Sequence, residues 1–468
     1  MRSLVTTAFD VQPAAIDEIV AFLRGALGDR VNTTRAVREQ HARGEALDTH
    51  LPADVVAWPR DKHEVSAILA RCNALGVPVI GYGAGSSLEG HVSAPFGGVC
   101  LDMSLMNSLV TVHAEDGDCV VQPGITREDL NSQLKGTGLF FPVDPGANAS
   151  IGGMASTRAS GTTTIRYGSM QHNVMAMEVA LADGSLVRLG TRARKSSAGF
   201  DLLHLMIGAE GTLGIITELT LRLHPLPSSV AAASCAFPTL RDAVATVTDL
   251  VMSGGQMARM EFLDEHQVRA CNIHSKLDLP EKPTLFLEFH GSESAVREQA
   301  ELAQEVAAAN GGIDFKWATR PEDRTQFWRA RHMAYFAALA LRPGCVCVVA
   351  DVCVPISALA DAVASAREDI DREGLVAPIL GHVGDGNFHV LFLQMPDSAA
   401  EREAVDRVYA AMVDRALAAG GTCTGEHGIG MGKKTKLIAE VGQHVVDLMR
   451  DTKRAWDPKS ILNPGKIF

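Results

Sequence analysis

The sequence lacks the features that mark a membrane-spanning, exported or nucleic-acid-binding protein. It has no uninterrupted apolar run of about 18 residues. Its first residues do not combine a cationic flank with an apolar stretch, so we expect neither a transmembrane helix nor a signal peptide. Basic residues form no cluster, and acidic residues outnumber them by 55 to 43. Because this charge repels a phosphate backbone, we expect no nucleic-acid partner.

The cysteine spacing argues against an iron–sulfur cluster and against a disulfide framework. The nine cysteines are scattered, and the closest pair, Cys345 and Cys347, does not form a C-x-x-C motif. Such a dispersed set is typical of a reducing cytosol, where a buried cysteine acts as a small hydrophobic residue. We therefore expect a cytoplasmic protein, and we leave open a peripheral association with the inner membrane.

What the chain does contain is the composition of a globular protein. Hydrophobic residues make up 46% and charged residues 21% of the 468 positions, and no internal repeat or low-complexity tract is present. This length exceeds what one hydrophobic core usually supports. We therefore expect two domains, one of which can be interrupted by the other.

Changes in sequence pattern divide the chain into segments. Apolar residues at helical spacing between Ile16 and Leu23 predict a helical lead-in over residues 1–50. Short apolar runs separated by glycine-rich turns follow over residues 51–228 and predict a strand-rich α/β domain. Helix-like and strand-like stretches alternate over residues 229–420, which predicts helices packed on an antiparallel sheet.

Two glycine-rich segments are candidates for nucleotide binding. In VPVIGYGAGSSLEGH, Gly81, Gly83 and Gly85 directly follow a predicted strand, and glycines there let backbone N–H groups approach a phosphate. Asp102 lies about 20 residues further on, as in a Rossmann fingerprint, but no helix is predicted directly after the glycines. A phosphate cradle and a simple turn both stay open.

The second segment, PVDPGANASIGGMASTRASGTTTIRYG, covers residues 142–168. It has no sustained apolar periodicity, and a long irregular segment in a compact domain is usually functional or disordered. Its small and hydroxylated residues suit the wrapping of backbone donors around a dinucleotide, whereas a flexible surface loop is the alternative. A third glycine-containing piece, GAEGTLGIIT at residues 208–217, again borders a predicted strand.

Taken in order, GYGAGSS, PVDPGANASIGG, RYG and EGTLGIIT closely resemble the FAD-binding domain of the vanillyl-alcohol oxidase and p-cresol methylhydroxylase superfamily. Similar pieces continue to the end of the sequence. The resemblance implies an α+β fold, with a two-part FAD-binding domain of the p-cresol methylhydroxylase type and a substrate (cap) domain with helices on an antiparallel sheet. It also implies that residues 421–468 form a C-terminal segment that returns to the flavin site.

The resemblance carries a set of FAD-binding positions over to this chain. They are Tyr82, Gly83, Ala84, Gly85, Ser86, Ser87, Leu88, Pro142, Asp144, Ser150, Gly152, Gly153, Thr157, Gly161, Glu210, Ile215 and Asn463. Relatives that bind FAD covalently carry a histidine where Ser86 stands here, so we expect non-covalent FAD. Arg158 stands where many relatives have a small or amide residue, which leaves its contact open.

A pair of histidines is the first sign of a metal site. The segment APILGHVGDGNFHVLFLQ predicts two strands joined at Asp385 and Gly386. A turn centred there places His382 opposite His389, with their Cβ atoms about 4.5 to 5.5 Å apart. Two imidazoles so placed can share a metal ion, although two surface histidines are the alternative.

A third candidate ligand lies in GTCTGEHGIGMGKK, where Glu426 directly precedes His427. Two histidines and a carboxylate with open coordination positions suit Zn, Mn or Fe. Because the side chains of adjacent residues project in different directions, Glu426 can bind the metal while His427 faces a substrate.

Both motifs, HVGDGNFH and TGEHGIGMGKK, closely resemble those of the D-2-hydroxy-acid dehydrogenase branch of this superfamily. The branch includes D-lactate and D-2-hydroxyglutarate dehydrogenases. The resemblance implies that His382, His389 and Glu426 bind a divalent metal and that His427 is the base.

Two further motifs extend this resemblance. In FWRARHMAY, Arg331 matches the residue that binds the substrate carboxylate, and a surface helix residue is the alternative. Tyr335 lies one turn after Arg331 if this segment is helical, and we include it in the expected active site. In LNPGK, Asn463 and Lys466 match residues that approach the flavin pocket.

The expected reaction is the FAD-dependent oxidation of a small D-2-hydroxy acid, best D-lactate to pyruvate. Arg331 would bind the carboxylate, the metal would bind the 2-hydroxyl, His427 would take its proton, and the Cα hydride would pass to flavin N5. Relatives that act on five-carbon dicarboxylates have a lysine where Val349 stands here. A short monocarboxylate is therefore preferred, with glycolate or a branched acid next.

Other functions stay open at this point. They are a glycolate oxidase flavin subunit that needs partner chains, a D-2-hydroxyglutarate dehydrogenase and, from a different class, a non-redox alkyl transferase that uses FAD. The arginine and metal motifs favour the dehydrogenase, because a transferase does not need a metal for a 2-hydroxy acid. The expected electron acceptor is cytochrome c or a quinone, and we leave open whether the chain forms a homodimer.

Overall fold

The computed structural model describes residues 11–45 and 50–468. Residues 1–10 and 46–49, which fall in the predicted helical lead-in, lie outside the described residues. The rest of that lead-in contains two helices and a short strand. Among the described residues, no helix is both long and apolar enough to cross a membrane.

The chain forms two compact units, and each is made of separate stretches of sequence. The first unit comprises Met1–Ser160, Ser169–Pro225 and Glu426–Phe468, and the second comprises Gly161–Gly168 and Leu226–Gly425. We predicted residues 161–168 to be part of the flavin-binding segment, but they lie in the second unit.

The strands form four sheets among the described residues. In chain order they are β1 (Val31–Asn32), β2 (Val55–Ala57), β3 (Val79–Tyr82), β4 (Val99–Asp102), β5 (Leu109–His113), β6 (Asp118–Val121), β7 (Leu139–Phe140), β8 (Val174–Ala180), β9 (Leu186–Gly190), β10 (Ile215–Arg222), β11 (His224–Pro225), β12 (Ser229–Ala236), β13 (Met257–Leu263), β14 (Thr284–Gly291), β15 (Ile313–Ala318), β16 (Val346–Cys353), β17 (Ile379–Gly381) and β18 (Asn387–Gln394).

Several helices begin at a side chain that accepts a backbone N–H, as Asp61, Thr239 and Ser292 do. In chain order the helices are α1 (Pro13–Leu27), α2 (Arg35–His41), α3 (Lys62–Leu75), α4 (Arg127–Gln133), α5 (Ile151–Thr157), α6 (Thr164–Tyr167), α7 (Met170–Asn173), α8 (Leu202–Met206), α9 (Leu240–Met252), α10 (Glu265–Ser275), α11 (Glu293–Ala309), α12 (Pro321–His332), α13 (Ala334–Leu341), α14 (Leu359–Arg372), α15 (Ala399–Ala418), α16 (Lys434–Val441) and α17 (Gln443–Trp456).

The first unit contains two larger sheets. In one, β2, β4 and β3 run parallel and β1 pairs antiparallel with β2. The apolar residues of β2 and β4 are buried throughout, as is typical of parallel strands that are covered on both faces. The other sheet is antiparallel, in the order β5-β6-β10-β8-β9. Each sheet packs against its own hydrophobic core.

The second unit is built on a seven-stranded sheet in the order β15-β12-β14-β13-β17-β18-β16. The neighbouring strands pair antiparallel. Helix α11 packs on β12 and β14, and α15 packs on β16 and β18. This arrangement confirms the predicted fold class, in which helices pack on an antiparallel sheet.

One face of the seven-stranded sheet carries ionisable side chains. Leu263 lies opposite Leu380, Leu380 opposite His389, and His389 opposite Asp351, across β13, β17, β18 and β16. Because side chains alternate with a period of two, Glu261 on β13 lies on the same face as Leu263. The sheet therefore presents two fully buried carboxylates and an imidazole on one face.

A buried ion pair holds the C-terminal segment in the first unit. Lys453 Nζ pairs with Asp457 and also donates to the carbonyls of Thr212 and Leu462. The Asp457 carboxylate accepts the backbone N–H groups of Ile461 (3.1 Å) and Leu462 (2.7 Å). Because this pair is removed from water, each partner depends on the other for charge balance.

We expect Asp457→Asn to destabilise the first unit, because it leaves the buried Lys453 ammonium without its counter-ion. Breaking one side of a buried pair costs about 3 to 5 kcal/mol, which would be measured as a lower midpoint of thermal unfolding. Glu39→Gln breaks the exposed pair of Arg35 and Glu39 and should leave the midpoint unchanged. Equal midpoints for the two variants would contradict the prediction.

Candidate active site

The first glycine-rich loop has the geometry of a ligand cradle. The structure describes every residue from Gly83 to Gly98, and no helix or strand lies between them. An ideal Cβ on Gly83 would lie 2.1 Å from Ser150 Oγ, so a larger side chain would displace the Ser150 hydroxyl. The hydroxyls of Ser87 and Ser150 are buried, and neither has a hydrogen-bond partner in the described part of the chain. These donors fit a phosphate-containing ligand such as FAD.

Asp102 takes part in a buried network inside the first unit. Its carboxylate accepts Trp58 Nε1–H at 2.8 Å and the Ser104 N–H at 2.9 Å, and it lies 3.0 Å from His41 Nε2. No helix opens directly after the glycines of the first loop. Both observations disagree with a Rossmann fingerprint.

The structure corrects the prediction of an irregular segment over residues 142–168. Helices α5 and α6 lie within it. In α5, the hydroxyls of Ser156 and Thr157 donate to the carbonyls of Gly152 (2.8 Å) and Gly153 (3.2 Å). A helix of seven residues makes only about two turns, which is too short to give a clear apolar period in the sequence.

The predicted cofactor residues divide between the two units. Gly161 lies in the second unit, where its N–H donates to Thr164 Oγ1 at 2.9 Å, and the other predicted cofactor residues lie in the first. Arg158, whose contact the resemblance left open, donates from Nε and Nη2 to the Ile207 carbonyl at 3.3 and 3.1 Å. Arg158 thus supports the backbone just before GAEGTLGIIT.

Glu210 links the body of the first unit to its C-terminal segment. Its carboxylate accepts the N–H groups of Ile429 (2.7 Å) and Gly430 (2.8 Å) and lies 3.1 Å from His91 Nε2. Burial alone would raise the pKa of Glu210, but His91 and these two N–H groups hold that pKa below its usual range. Asn463 Nδ2 donates to the Glu210 carbonyl at 2.7 Å. The two predicted FAD contacts therefore touch each other, and FAD binding by either stays a prediction.

Lys466 lies beside this cluster. Its Nζ donates to the Ser93 carbonyl at 2.6 Å and to Asn463 Oδ1 at 3.1 Å. Burial, together with the charge of Lys434, lowers the pKa of Lys466 to about 7, against an opposing effect of Glu210. The side chain can therefore change charge near neutral pH.

The structure overturns the predicted register of the histidine hairpin. We expected His382 opposite His389, but Leu380 lies opposite His389 in the pairing of β17 with β18. The strand ends before His382, whose carbonyl accepts the N–H groups of Asp385 (3.0 Å) and Asn387 (3.3 Å). A longer turn of 3-10 type, Val383–Asp385 followed by Gly386, therefore replaces the two-residue turn of the prediction.

The two imidazoles nevertheless meet. His382 follows directly after β17, and its contact with Glu261 places its side chain on the same face as Leu380 and near His389. The ring centroids are 5.5 Å apart with the planes at 86°, and one nitrogen of each ring lies within 4.8 Å of the other. Both side chains are buried, which rules out a pair of surface histidines.

Each of these histidines faces a buried carboxylate that the sequence analysis did not identify. His382 Nδ1 lies 2.7 Å from Glu261 Oε1, and His389 Nδ1 lies 3.5 Å from Asp351 Oδ1. A carboxylate at Nδ1 favours the tautomer that carries its proton on Nδ1 and its lone pair on Nε2, the form of imidazole that binds a metal. Glu261 and Asp351 are charged residues within largely apolar strands, and this was the sequence signal that could have identified them. The sequence does not show which strands pair, so it could not place either carboxylate beside a histidine.

Arg331 belongs to the same buried group. Its Nε donates to Glu261 Oε2 at 2.6 Å, and its side chain is 11% exposed, so it is not a surface helix residue. Burial alone would raise the pKa of Glu261, but His382 and Arg331 hold that pKa below its usual range. Tyr335 lies on α13 and Arg331 on α12, and the break at Met333 separates the two helices.

Glu426 and His427 begin the C-terminal stretch of the first unit. Ser160 Oγ donates to Glu426 Oε2 at 2.6 Å, and His427 Nε2 lies 3.5 Å from Glu426 Oε1. In the second unit, a Cβ on the preceding Gly425 would lie 2.0 Å from Asn387 Nδ2. The structure thus joins Glu426 with His427 in one unit, and in the other unit it joins the two histidines of the hairpin with Arg331.

Two family models match most of the chain. The model described as an FAD binding domain matches residues 53–190. The model described as the C-terminal domain of FAD linked oxidases matches residues 226–467.

Curated relatives match nearly the whole length. A probable mitochondrial D-lactate dehydrogenase of Danio rerio is 46% identical over 464 residues, which cover 98% of this chain and 93% of the relative. A mitochondrial D-lactate dehydrogenase of the cytochrome type from Arabidopsis thaliana is 44% identical over 454 residues, which cover 96% of this chain and 80% of the relative.

A solved structure of p-cresol methylhydroxylase with bound substrate has a similar fold. Its TM-score is 0.77 at 18% sequence identity, and the match covers 98% of this chain and 97% of that one. At this level of identity the likeness concerns the fold alone.

We expect Gly83→Ala to lose part of its bound FAD, because the new Cβ would displace the Ser150 hydroxyl and fill space in the cradle. The FAD-to-protein ratio of the purified chain, measured by absorbance, tests this. Gly25→Ala is the matched control, because its Cβ meets no atom within 4 Å and alanine favours the interior of α1. A Gly83→Ala chain with the wild-type FAD content would contradict the prediction.

Lys466 gives a pH-dependent prediction. Its folded-state pKa of about 7 lies below the ordinary 10.5, so the unfolded chain binds more protons between these values and stability rises with pH there. Lys466→Met removes this dependence. The free energy of unfolding of Lys466→Met minus that of wild type should therefore be larger at about pH 6 than at about pH 9, by about 2 kcal/mol. Thermal unfolding at both pH values measures this, and Lys459→Met, at an exposed position, should show no such difference.

Proposed function

Because the chain belongs to the family of FAD-linked oxidases, we propose that it is an FAD-dependent dehydrogenase that oxidises D-lactate to pyruvate. Relatives named as D-lactate dehydrogenases match it over nearly its whole length. A D-2-hydroxy acid carries a carboxylate and a hydroxyl on adjacent carbons, so its oxidation needs recognition of both groups.

The geometry that carries the proposal is the sharing of one buried carboxylate by Arg331 and His382. Glu261 accepts from both residues, at 2.6 and 2.7 Å. A guanidinium binds a substrate carboxylate through a fork of N–H donors, and an imidazole is a good metal ligand. A group for the carboxylate and a group for the hydroxyl therefore lie close together, as a 2-hydroxy acid requires.

FAD would be held by the glycine cradle of the first unit. Gly83 allows the close approach, and the hydroxyls of Ser87 and Ser150 offer donors. Bound FAD supplies the acceptor for the two electrons that leave the substrate. We propose non-covalent binding, because Ser86 stands where covalently linked relatives carry a histidine.

A divalent metal, Zn, Mn or Fe, would be held by His382, His389 and Glu426. Support comes from the two buried imidazoles, whose Nδ1 atoms face carboxylates, and from the resemblance, which implies Glu426 as the third ligand. The metal supplies a Lewis acid toward the 2-hydroxyl. His427, adjacent to Glu426, would take the hydroxyl proton.

The surroundings favour a short monocarboxylate. Val349, at the position where relatives that act on five-carbon dicarboxylates carry a lysine, lies opposite Leu391 in the sheet and is buried. Tyr335 would narrow the pocket near Arg331. D-2-hydroxyglutarate is therefore a weaker candidate substrate, and an alkyl transferase would have no use for Arg331 beside a metal site.

Cytochrome c or a quinone would reoxidise the flavin, and the name of the Arabidopsis thaliana relative includes a cytochrome. We keep a cytoplasmic location as a prediction, although the names of the two relatives include the mitochondrion. The absence of a nucleic-acid partner also stays a prediction, and the question of a homodimer stays open.

Anaerobic reduction of the bound flavin tests the proposal. D-lactate should bleach the flavin absorbance, L-lactate should not, and removal of the metal with a chelator should slow the reaction. His427→Asn should lower the reduction rate by about 10²-fold or more, because it removes the base, while the FAD content stays at the wild-type level.

The matched control is His444→Asn, at an exposed position on α17, which should leave the reduction rate unchanged. If neither lactate enantiomer reduces the flavin, D-lactate oxidation is wrong. If D-lactate reduces the flavin of His427→Asn at the wild-type rate, the assignment of the base is wrong.

A further inference from the structure

Glu261 divides its two carboxylate oxygens between two different residues. Oε2 accepts from Arg331 Nε at 2.6 Å, and Oε1 lies 2.7 Å from His382 Nδ1. The side chain of Glu261 is 1% exposed, so water does not replace either partner. It projects from the central strand β13, next to β17, which ends directly before His382.

We propose that Glu261 is a positioning residue that couples the metal site to the substrate-carboxylate site. The inference rests on the proposed function, in which His382 binds the metal and Arg331 binds the substrate carboxylate. Because one rigid carboxylate orients both groups, a change at Glu261 alters metal affinity and substrate binding together. No other described carboxylate contacts both Arg331 and His382.

The physical reason lies in what each partner loses without Glu261. His382 loses the acceptor that fixes its tautomer and ring orientation, and the loss of such a partner typically weakens metal binding 10- to 100-fold. Arg331 loses the anion that balances its buried charge, so its guanidinium is no longer held in one orientation.

The neighbouring strand offers a matched control. Glu288 on β14 is buried, accepts from His290 Nε2 at 2.8 Å and lies 3.5 Å from Arg259 Nη1. Glu288 thus holds an arginine and a histidine as Glu261 does, but neither partner belongs to the proposed site. Glu288→Gln therefore also replaces a buried carboxylate with an amide, but it leaves the contacts of the proposed metal ligands unchanged.

The first measurement is zinc affinity in the FAD-loaded, metal-free protein, by competition with a chromophoric chelator. Wild type and Glu288→Gln should bind Zn²⁺ alike, and Glu261→Gln should bind it about tenfold or more weakly. This readout needs no turnover. If D-lactate is not the substrate, the zinc result still tests whether Glu261 positions His382.

The second measurement is D-lactate turnover at saturating Zn²⁺. The kcat of Glu261→Gln should largely recover, because the metal site is filled. Its KM should stay raised about tenfold, because Arg331 has lost its partner. Glu288→Gln should have the KM of wild type.

Two outcomes overturn the inference. One is a Glu261→Gln protein with wild-type zinc affinity, and the other is an equal loss of affinity in Glu288→Gln. If Glu261→Gln does not fold, Glu261→Asp replaces it: its charge is kept, but its shorter side chain cannot reach both partners. Glu261→Asp should then show the weakened zinc affinity or the raised KM, and wild-type values for both overturn the inference.

Discussion

The polar face of the second unit depends on the balance of buried charge, as the Glu261 carboxylate shows. A carboxylate can leave water only if cations or hydrogen-bond donors balance it, because an unpaired buried ion costs several kcal/mol. Arg331 and His382 provide that balance, and the requirement fixes their own orientations in return. Asp351 meets the same need with a hydrogen bond from Asn387 Nδ2 at 2.7 Å. The contacts that balance the buried charges therefore also fix the arrangement of the proposed site.

The first unit uses the same constraint to bring distant parts of the chain together. The Glu210 carboxylate is satisfied by backbone N–H groups more than 200 residues later in the sequence, at Ile429 and Gly430. Asp457 and Lys453 balance each other and bind the backbone around them. Buried charges thus attach the C-terminal segment to the rest of the first unit, which also carries the glycine cradle. The segment that begins with Glu426 and His427 gains a defined position from these attachments.

Local sequence patterns predicted some of the site and missed other parts for identifiable reasons. The glycines near Gly83 indicated a cradle, because close backbone approach depends on the residue type itself. Alternation along the strand placed His382 on the same side as its partner, although the predicted register was wrong by two residues. The error arose because a longer turn of 3-10 type, closed by two N–H groups that donate to the His382 carbonyl, replaces the two-residue turn that the residue pattern implied. Helix α5 was missed because a helix of seven residues leaves little periodicity.

The sequence by itself indicated the glycine-rich loop and the two histidines with Glu426 as a possible metal site, and the resemblance implied the role of Arg331. These features depend on residue type and spacing over a few positions, which local sterics and side-chain alternation control. Only the tertiary structure decided that Glu261 joins Arg331 to His382, and that Asp351 faces His389. Strands β13, β16, β17 and β18 become neighbours through pairing between residues far apart in the chain. The free energy of that pairing comes from the burial and charge balance of the whole unit, which no short stretch of sequence contains.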